Sequence, residues 1–97
     1  MPHVNNLTNA QLERLAYLAE EMSEAGQIIG KIIRHGYDSF DPTIKQSPTN
    51  RFMLMREVSD VLKAMEMLID ANDLYFDVIN EFSAKKSSSE YMHYQSK

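Results

Sequence analysis

The chain has 97 residues, 43% of them hydrophobic and 25% charged, a formal net charge of −4 and no cysteine. That length suits one domain, whose folding buries only roughly 60–65% of the surface exposed by the unfolded chain, so an oligomer is a natural way to cover more apolar surface. Disulfides, thiolate chemistry and Cys-ligated zinc are excluded, three scattered His make no zinc spacing, and the acidic balance disfavours duplex nucleic acid or an anionic membrane as partner. No apolar run approaches the roughly 18 residues of a spanning helix, and the start of the chain lacks a signal-peptide pattern. The expected location is therefore the cytoplasm, a host's cytoplasm if the chain is phage-encoded.

After a short irregular lead over residues 1–7, Thr8 and Gln11 have the spacing of a capping box and predict a helix start. Leu15, Leu18, Met22, Ala25, Ile29 and Ile32 recur at steps of three and four, an amphipathic stripe that carries the helix to about Arg34 or His35. Gly36 is placed to end it, with Arg34 and His35 at the negative helix terminus. Tyr37 to Gln46 is rich in turn formers and reads as a loop. Ser47 and Pro48 are expected as N-cap and first residue of a second helix. Its stripe is Leu54, Val58, Val61, Met65 and Leu68, with Leu62 and Ile69 alongside, and it should end near Ala71. Asn72 or Asp73 is expected to cap a third helix with Leu74, Tyr75, Val78, Ile79 and Phe82 on its apolar side. Lys85 to Glu90 is polar and expected to fray, and Tyr91 to Tyr94 is expected to form a short turn. No segment alternates with period two, so the class is all-α in a single domain over 1–97, with frayed ends at about 1–7 and 86–97.

Two acidic pairs carry the chemistry. Glu21 and Glu24 stand at i, i+3 on the first helix, and Glu57 and Asp60 stand at i, i+3 on the second, so each pair projects from nearly one face. On a wheel at about 100° per residue with Leu15 at zero, the first stripe centres near −45°, Glu21 near −120° and Glu24 near 180°. With Val58 at zero, Glu57 falls near −100° and Asp60 near −160°, among Met53, Ala64 and Met67. Both pairs thus share a flank with apolar side chains, and packing the helices together would bring four carboxylates to a partly buried seam. Such a group is untenable without cations, and a hard divalent cation such as Mg²⁺ prefers oxygen ligands of this kind. Taken by spacing alone, acids at i, i+3 are also ordinary on a solvated helix flank.

Glu20-Glu21-Met22-Ser23-Glu24, then Glu57-Val58-Ser59-Asp60 followed by Val61-Leu62, resembles the acidic motifs of the MazG-like all-α nucleoside triphosphate pyrophosphohydrolases. Lys31-Ile32-Ile33-Arg34-His35-Gly36 and the tail Tyr91-Met92-His93-Tyr94-Gln95 resemble a subgroup of short bacterial and phage members. The resemblance implies an antiparallel helical bundle completed by oligomerisation, as a homodimer or homotetramer. It also implies Mg²⁺-dependent hydrolysis of a (deoxy)nucleoside triphosphate to the monophosphate and pyrophosphate, with Mn²⁺ able to substitute. Glu21, Glu24, Glu57 and Asp60 would be the metal ligands, and Glu20 is either a supporting acid behind them or a simple surface acid. The chain departs from the pattern in a gap of 32 residues between Glu24 and Glu57, in the short lead before the first acidic helix, and in having only Lys85 and Lys86 where relatives carry a phosphate-contacting segment.

Other side chains have two uses each. Lys31 lies on the side of Glu24 about two turns on, roughly 10 Å along the helix, and would reach a triphosphate or stand in solvent. Arg34 and His35 complement a helix end or bind phosphate. Lys85 and Lys86 solubilise a frayed end or contact phosphate. Tyr37, Phe40, Tyr91 and Tyr94 would stack on a base or cover a subunit's apolar surface. The seven Met are core fillers. A different class of function also fits: a non-catalytic helical interaction protein, an adaptor or antitoxin-like binder, whose acids are solvated or hold a regulatory metal.

Overall fold

In the computed structural model, residues 4–86, 92, 94 and 95 are described. They form three helices, α1 (Asn9–His35), α2 (Asn50–Asp70) and α3 (Phe76–Lys85), and no strand among the described residues. The all-α class is therefore as expected. The turn expected over Tyr91–Tyr94 includes Tyr91 and His93, which lie outside the described residues.

The first helix begins where its sequence says it should. Thr8 Oγ1 accepts from the Gln11 N–H at 3.1 Å, and Gln11 Oε1 accepts from the Thr8 N–H at 2.8 Å. Two amides that the helix itself leaves without partners are thereby satisfied. It ends at Gly36, whose φ of +91° strains any residue with a Cβ and whose N–H donates to the Ile32 carbonyl at 2.7 Å.

The start of α2 falls two residues beyond the expected one. Thr49, not Ser47, is the N-cap, and its hydroxyl accepts from the Phe52 N–H at 3.2 Å. The reason lies in the connecting loop. The Asn50 N–H donates to the Ser39 carbonyl at 2.9 Å and the Arg51 N–H to the Tyr37 carbonyl at 2.8 Å. Asn50 is buried and sends Nδ2 back to the Gly36 carbonyl at 3.3 Å. The first-turn donors of α2 are thus used to stitch the loop shut, and proline at one of these positions would have no N–H to give. Arg51 adds a guanidinium 4.4 Å above the Tyr37 ring and a bond to Asp38 at 3.3 Å.

These contacts fold α2 back antiparallel on α1, and the far end is tied as well. Arg14 grips Asp73 with two hydrogen bonds, Nε to Oδ2 at 2.6 Å and Nη2 to Oδ1 at 3.2 Å. Asp73 is therefore spent on α1 and does not cap α3. Nor does Asn72, which takes a left-handed φ of +61° in the turn. Tyr75 is the N-cap residue of α3 and supplies no side-chain bond.

The buried core is small: Ala25 and Ile28 from α1, Ala64 and Leu68 from α2. Alanine on both helices permits close approach, and Leu68 is the one large side chain fully enclosed among the described residues. Replacing Leu68 by Ala should cost about 2–5 kcal/mol. The stripes drawn from the sequence are broader than this seam. Leu15, Met22 and Ile29 remain 41%, 57% and 46% exposed, while Ile28, which the stripe omitted, is buried. The contact line is thus rotated from the centre of the stripe towards Glu21. A second apolar flank is left facing outwards, a shallow hollow of about 290 Å³ lined by Met22, Gly26, Ile29, Val58, Val61 and Leu62. Helix α3 buries none of its residues and packs closely against neither long helix. The Cα radius of gyration is 17.4 Å, well above the roughly 13 Å of a compact domain of this length.

Candidate functional site

The rotation of the seam brings the acids inwards. Glu21, one turn before Ala25, and Glu57, two turns before Ala64, are carried by the same faces that hold the core together. Both are half-buried, as is Glu24, whereas Asp60 and Glu20 are exposed. Glu21, Glu57 and Asp60 each offer a carboxylate oxygen, and the three oxygens lie within 4.8 Å of one another. This triad could hold a metal ion. Glu24 stands beside it, and its charge bears on both Glu21 and Glu57.

The acids lack what buried acids normally have. Glu21 Oε2 and Glu57 Oε2 are enclosed, and neither has a hydrogen-bond partner. Burial raises the Glu21 pKa above the ordinary carboxylate range. The charges of Glu24, Asp60, Glu57 and Glu20 raise it further. Glu57 is raised by burial first, then by the neighbouring Glu24 carboxylate and by the charge of Asp60, with Arg56 acting the other way. The donor set fits a hard divalent cation: oxygens only, at least two of them half-desolvated, with exposed Asp60 leaving one side open.

Only one side of the seam has this character. Glu24 and Asp60 flank it on one side together with Arg56. Beside Arg56 is a small hollow of about 180 Å³ lined by Met53, Arg56 and Glu57. The hollow of Met22, Ile29, Val58 and Leu62 occupies the other side.

The remaining candidates are placed as follows. Glu20 acts on the cluster only through its charge, as the weakest influence on Glu21. Lys31 lies on the acidic side, beyond Glu24 towards the loop, and its charge helps hold the Asp41 carboxyl low, after the hydrogen bonds from Thr43. Arg34 turns back along its own helix to Gly30. Lys85 is paired with Glu81 at 3.0 Å on the outstanding α3, with Lys86 just beyond the helix end. The single chain thus gathers Glu21, Glu24, Glu57 and Asp60, and leaves Arg34 and Lys85 outside.

Sequence reasoning missed Arg56 and the Arg14–Asp73 bond. Arg56 had a signal: a cation four residues before Asp60 shares its helix face. Arg14 and Asp73 are 59 positions apart, and nothing local links them. No protein-family model, curated protein or solved structure matches this chain.

Proposed function

We propose that the chain is a Mg²⁺-dependent nucleotide pyrophosphohydrolase, cleaving a nucleoside triphosphate to the monophosphate and pyrophosphate, and that it works as a homo-oligomer. The observation that carries this is the pair of enclosed, partnerless oxygens of Glu21 and Glu57 facing Asp60. Acids retained for stability are normally satisfied by donors within the protein, whereas these are left for a cation brought from outside. The resemblance of the two acidic motifs and of Lys31–Gly36 to the MazG-like enzymes supports the same conclusion.

Glu21, Glu57 and Asp60 would hold the metal, with Glu24 completing the set. A divalent cation there would neutralise the carboxylates, engage phosphate oxygens and make a bound water more acidic for attack at the α-phosphorus. The chain's own part is to fix the carboxylates on two rigid, antiparallel helices and to keep one side of the cluster open. No nucleophilic side chain is required, in keeping with a reaction in which positioning and charge stabilisation dominate.

The outward apolar flank and the bare α3 support the oligomer. Met22, Ile29, Val58 and Leu62 on that flank, and Phe76 and Phe82 on α3, are between 44% and 69% exposed, and exposed apolar patches of this kind mark interaction surfaces. A second copy would cover it. Sedimentation at micromolar concentration should give a dimer or larger species, and a monomer throughout that range removes this part.

The catalytic part is tested with a panel of ribo- and deoxynucleoside triphosphates plus Mg²⁺. Monophosphate and pyrophosphate in equal amounts, abolished by EDTA, are expected. Release of orthophosphate would contradict the bond cleaved. If no nucleotide turns over and Mg²⁺ neither binds nor raises the melting temperature, the protein is instead the non-catalytic helical binder.

A further inference from the structure

Charge is distributed unevenly along the α1–α2 hairpin. The stretch from Gly26 to Arg56 contains five of the ten Lys and Arg but two of the fourteen Asp and Glu, a formal net charge of +3 against −7 for the rest of the chain. Because the helices run antiparallel, that stretch is the loop end of the hairpin, and the four acids lie just below it.

Two cations of this stretch stand on the acidic side of the seam. Arg56 precedes Asp60 by four residues, so it shares the face of Asp60 one turn nearer the loop, about 6 Å along the axis. Lys31 follows Glu24 by seven residues, on the same side of α1 and about 10 Å nearer the loop. Arg56 borders the hollow of about 180 Å³ next to Glu57. Its charge reaches Glu57. Yet the ion pairs among the described residues are Arg14–Asp73, Arg51–Asp38, Lys63–Glu66 and Lys85–Glu81, and Arg56 is in none of them. An exposed guanidinium beside Glu57 and one turn from Asp60 that forms no ion pair with either is left to bind an anion. The hollow beside it is below the roughly 300–1,000 Å³ of sites for drug-sized ligands, but it suits phosphate groups. Guanidinium also matches phosphate oxygens in two-point geometry.

We propose that Arg56 binds the phosphate chain of the substrate beyond the phosphate held at Glu21, Glu57 and Asp60, so that the chain runs along the acidic side towards Lys31 and the loop. This rests on the metal site proposed above. It also orients the substrate: the pyrophosphate leaves from the loop end, and the nucleoside lies towards the Arg14–Asp73 end.

The test uses the full-length protein as purified, with calorimetric titration of inorganic tripolyphosphate and of orthophosphate in the presence of Mn²⁺, and of Mn²⁺ alone. Arg56→Gln should weaken tripolyphosphate binding roughly tenfold or more, the scale of one charge-assisted hydrogen bond. Orthophosphate binding should change less than about twofold, and Mn²⁺ should bind as well or more tightly once the competing cation is gone. Arg56→Lys should recover part of the tripolyphosphate affinity, as a point charge without the two-point geometry. Unchanged tripolyphosphate affinity in Arg56→Gln, with tighter Mn²⁺ binding, would make Arg56 a mere counter-charge and overturn the proposal alone. Wild-type protein that binds no Mn²⁺ overturns the metal site and this proposal together.

Discussion

Two stretches of one helical seam, its open end and its middle, treat buried acids in opposite ways. At the open end, the Asp73 side chain is 13% exposed and is gripped by an Arg14 side chain that is 22% exposed. The two hydrogen bonds from Arg14 hold the Asp73 carboxyl below its ordinary range, more than offsetting its burial. Midway along the seam, one oxygen each of Glu21 and Glu57 is enclosed without a hydrogen-bond partner, and burial and like charges push both carboxyls upwards. The same backbone arrangement supports a charge that the chain completes itself and a charge that it leaves incomplete. The first is structural, and the second is the basis of the proposed metal site.

The sharpest way to break this contrast is through activity. Glu21→Gln and Asp60→Asn should each reduce nucleotide turnover by more than about 100-fold, since even contacts that only support a metal ligand are worth 10–100-fold. Arg14→Ala should leave turnover per folded molecule within a few-fold. Helix content by circular dichroism separates lost chemistry from lost fold. Equal losses at both stretches would erase the distinction between them.

Stability responds to the metal in the same pattern. At a concentration 100 times its dissociation constant, Mg²⁺ should raise the melting temperature of the wild type by on the order of 10 °C. Glu57→Gln should reduce that shift while raising the melting point of the metal-free protein, because one carboxylate of the repelling group is gone. A metal-free Glu57→Gln protein that melts below wild type would mean that Glu57 is already satisfied within the fold.

Smaller effects are expected at the open end. Arg14→Met leaves Asp73 partly buried without its donor, so the melting point should fall by several degrees, with or without Mg²⁺. Changing both partners, Arg14→Met with Asp73→Leu, should recover much of the loss, as removing a buried pair together costs less than orphaning one member. Thermal melts of the two variants beside wild type check this. A double variant no better than the single one would show that the bond, rather than the unpaired charge, matters most.

How much of this was legible beforehand differs by element. The ends of α1 were plain because Thr8, Gln11 and Gly36 act on their own helix. The start of α2 was not, since the donors of Asn50 and Arg51 go to carbonyls of Ser39 and Tyr37 across the loop. Asp73 has the composition of a cap but is taken by Arg14. The four acids could be paired by spacing and placed near a seam, yet the wheel put that seam about half a helix face too far from Glu21. Apolar side chains such as Met22 and Ile29 drew the centre of the stripe away from α2, towards the flank that remains open. A single wheel adds together faces that serve different neighbours, and only the packed pair separates them.

The weakest effect is the response to pH, and its sign distinguishes the two stretches most clearly. Glu21 and Glu57 have folded-state pKa values raised above the ordinary Glu value of about 4.3. Below that value they are protonated in both the folded and unfolded states, and their relative stabilisation of the fold is fully present. It is lost as pH rises through the raised pKa values, because the folded protein must then hold charges that repel. Asp73 is lowered, so its contribution is present above about 3.9 and is lost only as pH falls through the depressed value. Metal-free protein should therefore melt at a lower temperature at pH 7 than at pH 5, and Mg²⁺, which competes with protons for these carboxylates, should stabilise more at pH 7. The double variant Glu21→Gln, Glu57→Gln should flatten the slope between those two points without altering the loss below pH 4, which belongs to the lowered carboxyls of Asp73 and Asp41 and should shrink, not vanish, in Asp73→Asn. If the slope above pH 5 survives in the double variant, it arises from the general negative charge of the chain, and the enclosed carboxylates are not its source.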